Sequence, residues 1–277
     1  MPRRTSCRRG ENGYNGYGRD VISDTPDLAA HPAILDSVDA STRRLLDAVA
    51  TLSDADVPQP SLLPGWTRGH VLAHLSRNAD GLVNLMLWAR TGIETPQYAS
   101  PALREADIEA GAPRPLTEQL IDLRAAADRW LALARSMPES GWHATVRSRT
   151  GKEFPAELVP WLRLRETEIH HVDLNIGYLP VDWPVDFVAR MLAEVVAGLH
   201  AEVPHRPAGA KPMTSDPEHP APPSFTIRAT DTGYTATVGY DPTTTVSGPA
   251  ALLLAWLIGR HDGSGLTGDL PRLPAWL

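Results

Sequence analysis

From Ala33 to Val57 the apolar residues Ile34, Leu35, Val38, Leu45, Leu46, Val49 and Leu52 recur at intervals of three and four, the spacing of one helix face. This pattern predicts a first helix. Leu62-Leu63-Pro64-Gly65 then forms a turn, and Thr67 is placed to cap a second helix that runs to about Arg90 and is closed by Gly92. The stretch 93–116 holds four prolines and reads as a long excursion. After it, Thr117-Glu118-Gln119-Leu120 opens a third helix lasting to about Met137, where Pro138 stops it. Trp142, Ala144 and Val146 alternate before a Thr150-Gly151 turn, which predicts an extended connection leading into a fourth helix from about Glu157 to Asn175. Four helices with mostly moderate connections suit an up-and-down bundle, and the long second connection is placed to cover a site.

Beyond Gly177 the pattern changes. One more amphipathic helix, about Val185 to Glu202, is followed by a Pro-rich polar linker from Pro204 to Pro223. Phe225-Thr-Ile-Arg-Ala and Tyr234-Thr-Ala-Thr-Val are rich in β-branched residues around a Thr232-Gly233 turn and predict a hairpin, with a further strand at Thr243 to Val246. Gly248-Pro249 starts a helix carrying Leu252, Leu253, Leu254, Trp256, Leu257 and Ile258, closed by Gly259 and Arg260. The expected class is therefore α+β: a four-helix bundle over 25–178 and a smaller α+β domain over 179–277. Residues 1–24 mix Arg3, Arg4, Arg8 and Arg9 with Gly, Asn and Tyr without an apolar period, and read as a disordered tail.

Composition narrows the function. A chain of 277 residues with 42% hydrophobic content can build two cores. The net charge of -7 arises from mixed charges without long runs, so no basic footprint for nucleic acid or membrane is present and small-molecule partners are expected. No stretch approaches the roughly 18 to 20 apolar residues of a membrane span, and the Arg-rich start lacks the apolar part of a secretion signal, so a cytoplasmic protein is expected. Cys7 is the single cysteine and lies in the polar start, so any thiol chemistry must draw on an outside thiol. Oligomeric state is not legible.

The segment Arg165-Glu166-Thr-Glu-Ile-His170-His171-Val-Asp173 carries the candidate chemistry. Glu166 and His170 stand four apart, one turn along the same helix face, and can share one divalent ion. Alone, such a pair also arises on exposed helices. A third ligand must come from another element, and the second helix offers His70 and His74. The apolar neighbours of His74 turn it toward the bundle interior, whereas His70 falls nearer the rim. Two His and one Glu leave a fourth position open, the arrangement of a catalytic zinc site, although nickel, cobalt and iron accept the same donors.

These residues resemble the mycothiol-dependent maleylpyruvate isomerase family, whose N-terminal domain is a DinB-like metal-binding four-helix bundle. The resemblance rests on Leu63-Pro64-Gly65-Trp66-Thr67-Arg68-Gly69-His70-Val71-Leu72-Ala73-His74-Leu75, on Tyr98 with Arg104 and Asp107-Ile108, on Arg165-Glu166-x-x-x-His170-x-x-Asp173-Leu174, and on Leu254-Ala255-Trp256-Leu257-Ile258-Gly259-Arg260. It covers the chain from about residue 33 to the end. It implies metal ligation by His74, Glu166 and His170, a contribution of Arg260 to activity, the cofactor thiol mycothiol, and the cis-to-trans isomerisation of maleylpyruvate to fumarylpyruvate. Coordination to zinc deprotonates a thiol whose ordinary pKa is about 8.5, and the expected mechanism is addition of that thiolate to the conjugated double bond, rotation and elimination.

Arg260 could offer a bidentate guanidinium to a substrate carboxylate, or serve its own helix end. Asp173 either orients a ligand histidine or binds locally at the helix end. Trp66 and Trp88 are core or cleft walls, and Arg68 and Arg104 hold anionic groups or lie on solvated faces. Two competing functions remain open: a mycothiol S-transferase acting on another electrophile, and a bundle that binds metal or a small ligand without turnover.

Overall fold

The computed structural model describes residues 31–203 and 223–273. The expected tail at 1–24 and nearly all of the expected linker lie outside the described residues. Two compact units divide the chain, with the division between Trp183 and Pro184.

The bundle unit contains α1 (His31–Val49), α2 (Arg68–Thr91), α3 (Pro101–Gly111), α4 (Leu116–Arg135), the single turn α5 (Glu139–Trp142), β1 (Thr145–Arg147), β2 (Glu153–Pro155) and α6 (Val159–Asp173). α1 and α2 each pack against both α4 and α6. Their inward faces bury Leu45 and Val49 from α1, Leu72, Leu75, Leu82 and Leu85 from α2, Leu123 and Trp130 from α4, and Leu164 and Val172 from α6. Burial of such side chains stabilises each helix far more than its own propensity does.

The expected bundle is present, but its helices alternate only in part. α1 and α4 are antiparallel, since Arg135 Nη2 reaches Asp39 at 3.0 Å while Leu116 N reaches Asp54 at 2.7 Å. α2 and α4 are parallel, with Arg77 on Asp122 and Arg129 on Asp80. α2 and α6 are antiparallel, with His74 beside His170 and Asn78 beside Arg163. The directions thus run up, down, down, up. The reason is α3, an element absent from the sequence expectation for 93–116. It runs back along α2, with Tyr98 against Gly81 and Gly111 against Ala73, and so returns the chain to the end where α2 began. The prolines of this stretch punctuate α3: Ser100 caps it by accepting from Leu103 N, Pro101 occupies its first turn, and Pro113 follows its end.

The first helix is shorter than its apolar pattern predicts. Asp56 Oδ2 accepts from both the backbone N and the hydroxyl of Ser53, giving the chain after Val49 a local alternative to helix. The second helix starts and stops where the sequence places it: Thr67 and His70 form a reciprocal cap, and Gly92 takes φ 72° with its N–H on Trp88 O. Residues 141–155 supply the β1–β2 hairpin, in which Val146 pairs with Phe154.

The second unit contains α7 (Val185–Glu202), β3 (Phe225–Ala229), β4 (Thr235–Val238), β5 (Thr245–Gly248) and α8 (Ala250–Leu257). Its sheet has the order β4-β3-β5, with β4 antiparallel and β5 parallel to β3. Phe225, Ile227 and Ala229 alternate inward, and Phe225 meets Trp256 of α8 edge-on. Asp231 caps α8 by accepting from Ala250 N. Among the described residues no helix is long and apolar enough to cross a membrane.

Candidate metal centre

α6 presents Glu166 and His170 one turn apart, and antiparallel α2 presents His74 opposite them. Nε2 of His74 lies 2.9 Å from Glu166 Oε2 and 3.1 Å from His170 Nε2, and the third edge, His170 Nε2 to Glu166 Oε2, is 3.3 Å. A tetrahedral ion bound at about 2.0 to 2.1 Å separates its ligand atoms by about 3.3 Å, so the three donors form a face close to the required size. Two imidazole nitrogens and one carboxylate oxygen suit zinc and its borderline neighbours. The set His74, Glu166 and His170 meets the geometric requirement for holding one ion.

Several contacts fix this geometry. Arg163, one turn before Glu166 on the same face and fully buried, donates from Nη1 to Leu75 O at 2.9 Å and to Asn78 Oδ1 at 3.0 Å. It therefore holds the turn of α2 that follows His74. Arg68 donates to the carbonyls of Leu174 and Asn175, and Leu62 N donates to Asp173 O, which ties the start of α2 to the end of α6. Behind the two histidines, Asp173 Oδ2 stands 2.8 Å from His170 Nδ1, and Arg104 Nη2 stands 3.1 Å from His74 Nδ1. Trp66 packs edge-on against His74 and stacks on His70.

The electrostatics follow from these contacts. Burial pushes His74 down to about 4, opposed by its hydrogen bond with Glu166. Burial acts the same way on His170, but Asp173 and Glu166 outweigh it and raise this ring to about 8. Burial alone would lift the Glu166 carboxyl, yet hydrogen bonds from His170 and His74 hold it well below the usual carboxylate range.

Of the residues left open by the sequence, Asp173 turns inward to His170, and Arg104 is a buried group on His74 instead of a solvated one. Arg68 binds backbone carbonyls. Trp88 is half-buried beneath the Arg147 guanidinium, 6.0 Å from its ring centre. His70 is spent on its cap, with Thr67 N donating to its Nδ1. His171 faces away and stacks on Tyr178 at 3.9 Å, and burial pushes it down to about 4. Nearby, buried Glu168 binds Arg44 and the Tyr178 hydroxyl, each at 2.6 Å, a network that the sequence did not announce because Arg44 lies 124 residues from Glu168. Arg260 belongs to the second unit, follows α8, and donates from Nη1 to Ile258 O at 3.0 Å.

Comparison with known proteins adds the context. A family model described as the mycothiol maleylpyruvate isomerase N-terminal domain matches residues 38–175, and one described as the MDMPI C-terminal domain matches residues 182–275. No curated protein sequence matches the chain. Two crystal structures are similar to it, a mycothiol-dependent maleylpyruvate isomerase and a variant of that enzyme with one histidine replaced by alanine. Each has a TM-score of 0.77 and 27% identity, over 89% of this chain and 97% of the other.

Proposed function

Since the chain belongs to the mycothiol maleylpyruvate isomerase family, we propose that it is a metal- and mycothiol-dependent cis-trans isomerase converting maleylpyruvate to fumarylpyruvate, with His74, Glu166 and His170 as metal ligands. The observation that carries the reading is the convergence of three donor atoms, on helices far apart in sequence, to within 2.9 to 3.3 Å of one another. His74, Glu166 and His170 would hold a divalent ion, zinc by the donor set, which would lower the pKa of a thiol and so make it nucleophilic toward a conjugated double bond at neutral pH.

The chain's own residues set up that chemistry. Asp173 orients the His170 ring by accepting its Nδ1–H, which leaves Nε2 for the ion. Arg163 keeps the His74 turn of α2 in place. Trp66 shields one edge of His74 from water. The single cysteine lies outside the described residues, so no described side chain supplies the thiol. Arg260 is proposed to contribute to activity through a substrate carboxylate, as the match over Leu254 to Arg260 implies. The proposed partners are a small-molecule substrate and a low-molecular-weight thiol in the cytoplasm, with neither nucleic acid nor membrane.

The test is metal content by elemental analysis of wild type beside His170→Ala, followed by turnover of maleylpyruvate with and without mycothiol. About one zinc per chain, lost in the variant, with thiol-dependent turnover is the expected result. Metal without maleylpyruvate turnover would move the assignment to S-transfer onto another electrophile or to binding alone. A folded, metal-free wild type would overturn the site.

A further inference from the structure

The two histidines of the candidate centre have opposite groups behind them. Nδ1 of His170 meets the Asp173 carboxylate at 2.8 Å, and Nδ1 of His74 meets the Arg104 guanidinium at 3.1 Å. An ionised carboxylate only accepts hydrogen bonds, and a guanidinium only donates them. His170 therefore carries a hydrogen on Nδ1 and has its Nε2 lone pair available when that nitrogen is bare. This is the usual support of a metal-bound imidazole, in which an acceptor behind the ring raises its basicity.

His74 is supported the other way round. Its Nδ1 lone pair is engaged by Arg104, so the neutral ring carries its hydrogen on Nε2, directed at Glu166 Oε2. An ion takes that nitrogen only if the hydrogen leaves the ring, or if Arg104 withdraws and the hydrogen moves to Nδ1. Arg104 is poorly placed to withdraw. It is 3% exposed, it is paired with the Glu105 carboxylate, and its guanidinium carbon lies 5.6 Å from the centre of the Tyr98 ring. It also sits on α3, whose Gly111 is pressed against Ala73 of α2. A fixed positive charge behind the ring further opposes a dication in front of it.

We propose that Arg104 makes His74 the weak, exchangeable ligand of the metal centre, with Glu166 and His170 as the firm pair. The inference rests on the proposed metal site. Arg104 acts here as a positioning residue, working through His74, and it gives a direction that a merely structural role would not: its removal strengthens metal binding.

The test measures zinc affinity by competition with a chromophoric chelator for wild type, Arg104→Met and Arg104→Lys, each first stripped of metal and checked for folding by circular dichroism. Arg104→Met, which keeps the length and loses the donor, is expected to bind zinc about tenfold tighter, the scale of such supporting contacts. Arg104→Lys, which keeps a charged donor, is expected to stay close to wild type. Equal or weaker binding by a folded Arg104→Met overturns the inference while leaving the metal site standing; a wild type that binds no zinc overturns both. Should Arg104→Met fail to fold, nitrogen-15 spectra of the metal-free wild type decide the matter. A neutral His74 with its hydrogen on Nε2 supports the inference, and one with its hydrogen on Nδ1 overturns it.

Discussion

Nε2 of His74 lies 3.1 Å from Nε2 of His170, although 96 residues of chain separate them. Neither helix sets that distance alone. It depends on Arg163, whose guanidinium crosses from α6 to the backbone and side chain of the α2 turn just beyond His74. Replacing Arg163 with Met leaves the Leu75 carbonyl and the Asn78 side chain without this partner in a buried place. The expected cost is about 2 to 4 kcal/mol in urea unfolding, with weaker zinc binding as well. An unchanged unfolding midpoint would show that Arg163 does not clamp the helices.

Asp173→Asn keeps the shape of the residue but removes the charge that supports the His170 ring. Zinc affinity should fall about 10- to 100-fold, read by chelator competition. Affinity equal to that of wild type would mean that Asp173 serves the helix end rather than the metal centre.

Gly69 within α2 and Gly92 just beyond its end should respond differently to alanine. A Cβ on Gly69 would stand 2.1 Å from the Ala112 carbonyl oxygen, and backbone cannot yield as a flexible side chain does. Gly69→Ala is expected to cost about 1 to 3 kcal/mol or to displace the α3–α4 connection. Gly92 has open space around it and only its φ of 72° to oppose the change, so Gly92→Ala should cost about 1 kcal/mol. Thermal melts that rank the two in reverse order would contradict this packing.

Asp39 joins α1 to α4. Its hydrogen bond with Arg43, assisted by Arg135, holds the carboxyl below its ordinary value. A depressed folded pKa adds stability above the unfolded pKa of about 3.9, and that stability is lost as pH falls through the folded value. Asp39→Asn should therefore melt below wild type at pH 7, and the gap should narrow as pH falls below the unfolded value and through the folded one. A gap that persists in acid would exclude the ion pairs as its cause.

Arg260 is expected to matter for turnover and not for metal. Arg260→Ala should lower kcat/KM for maleylpyruvate at least tenfold, about 1.4 kcal/mol of transition-state stabilisation, with zinc content unchanged. Arg260→Lys should restore little, because an ammonium cannot make two parallel hydrogen bonds to one carboxylate. Full activity in either variant would remove Arg260 from the proposed mechanism.

Much of this was legible in the chain. Thr67 and Gly92 mark the ends of α2 because capping and positive φ are local demands that few residues meet. Val185 to Glu202 carries a helical period that packing did not disturb. Reading Glu166 and His170 as a pair needed only the 3.6-residue turn. The stretch 93–116 was opaque because its prolines signal interruption equally well whether they end a loop or begin a helix, and only contact with α2 shows which.

By itself, then, the sequence determined the α+β class and most of the helices and singled out the three candidate donor residues, since capping, apolar period and residue chemistry act over a few positions. Tertiary structure alone decided that α4 runs parallel to α2, that Arg104 and Asp173 stand behind different histidines, and that Glu168 is buried against Arg44 and Tyr178. The relations of α4, Arg104 and Arg44 join residues brought together only when the helices close on a common core, which no local spacing encodes; Asp173 stands three residues from His170 on the same helix, and packing decided only which of its two local roles it takes.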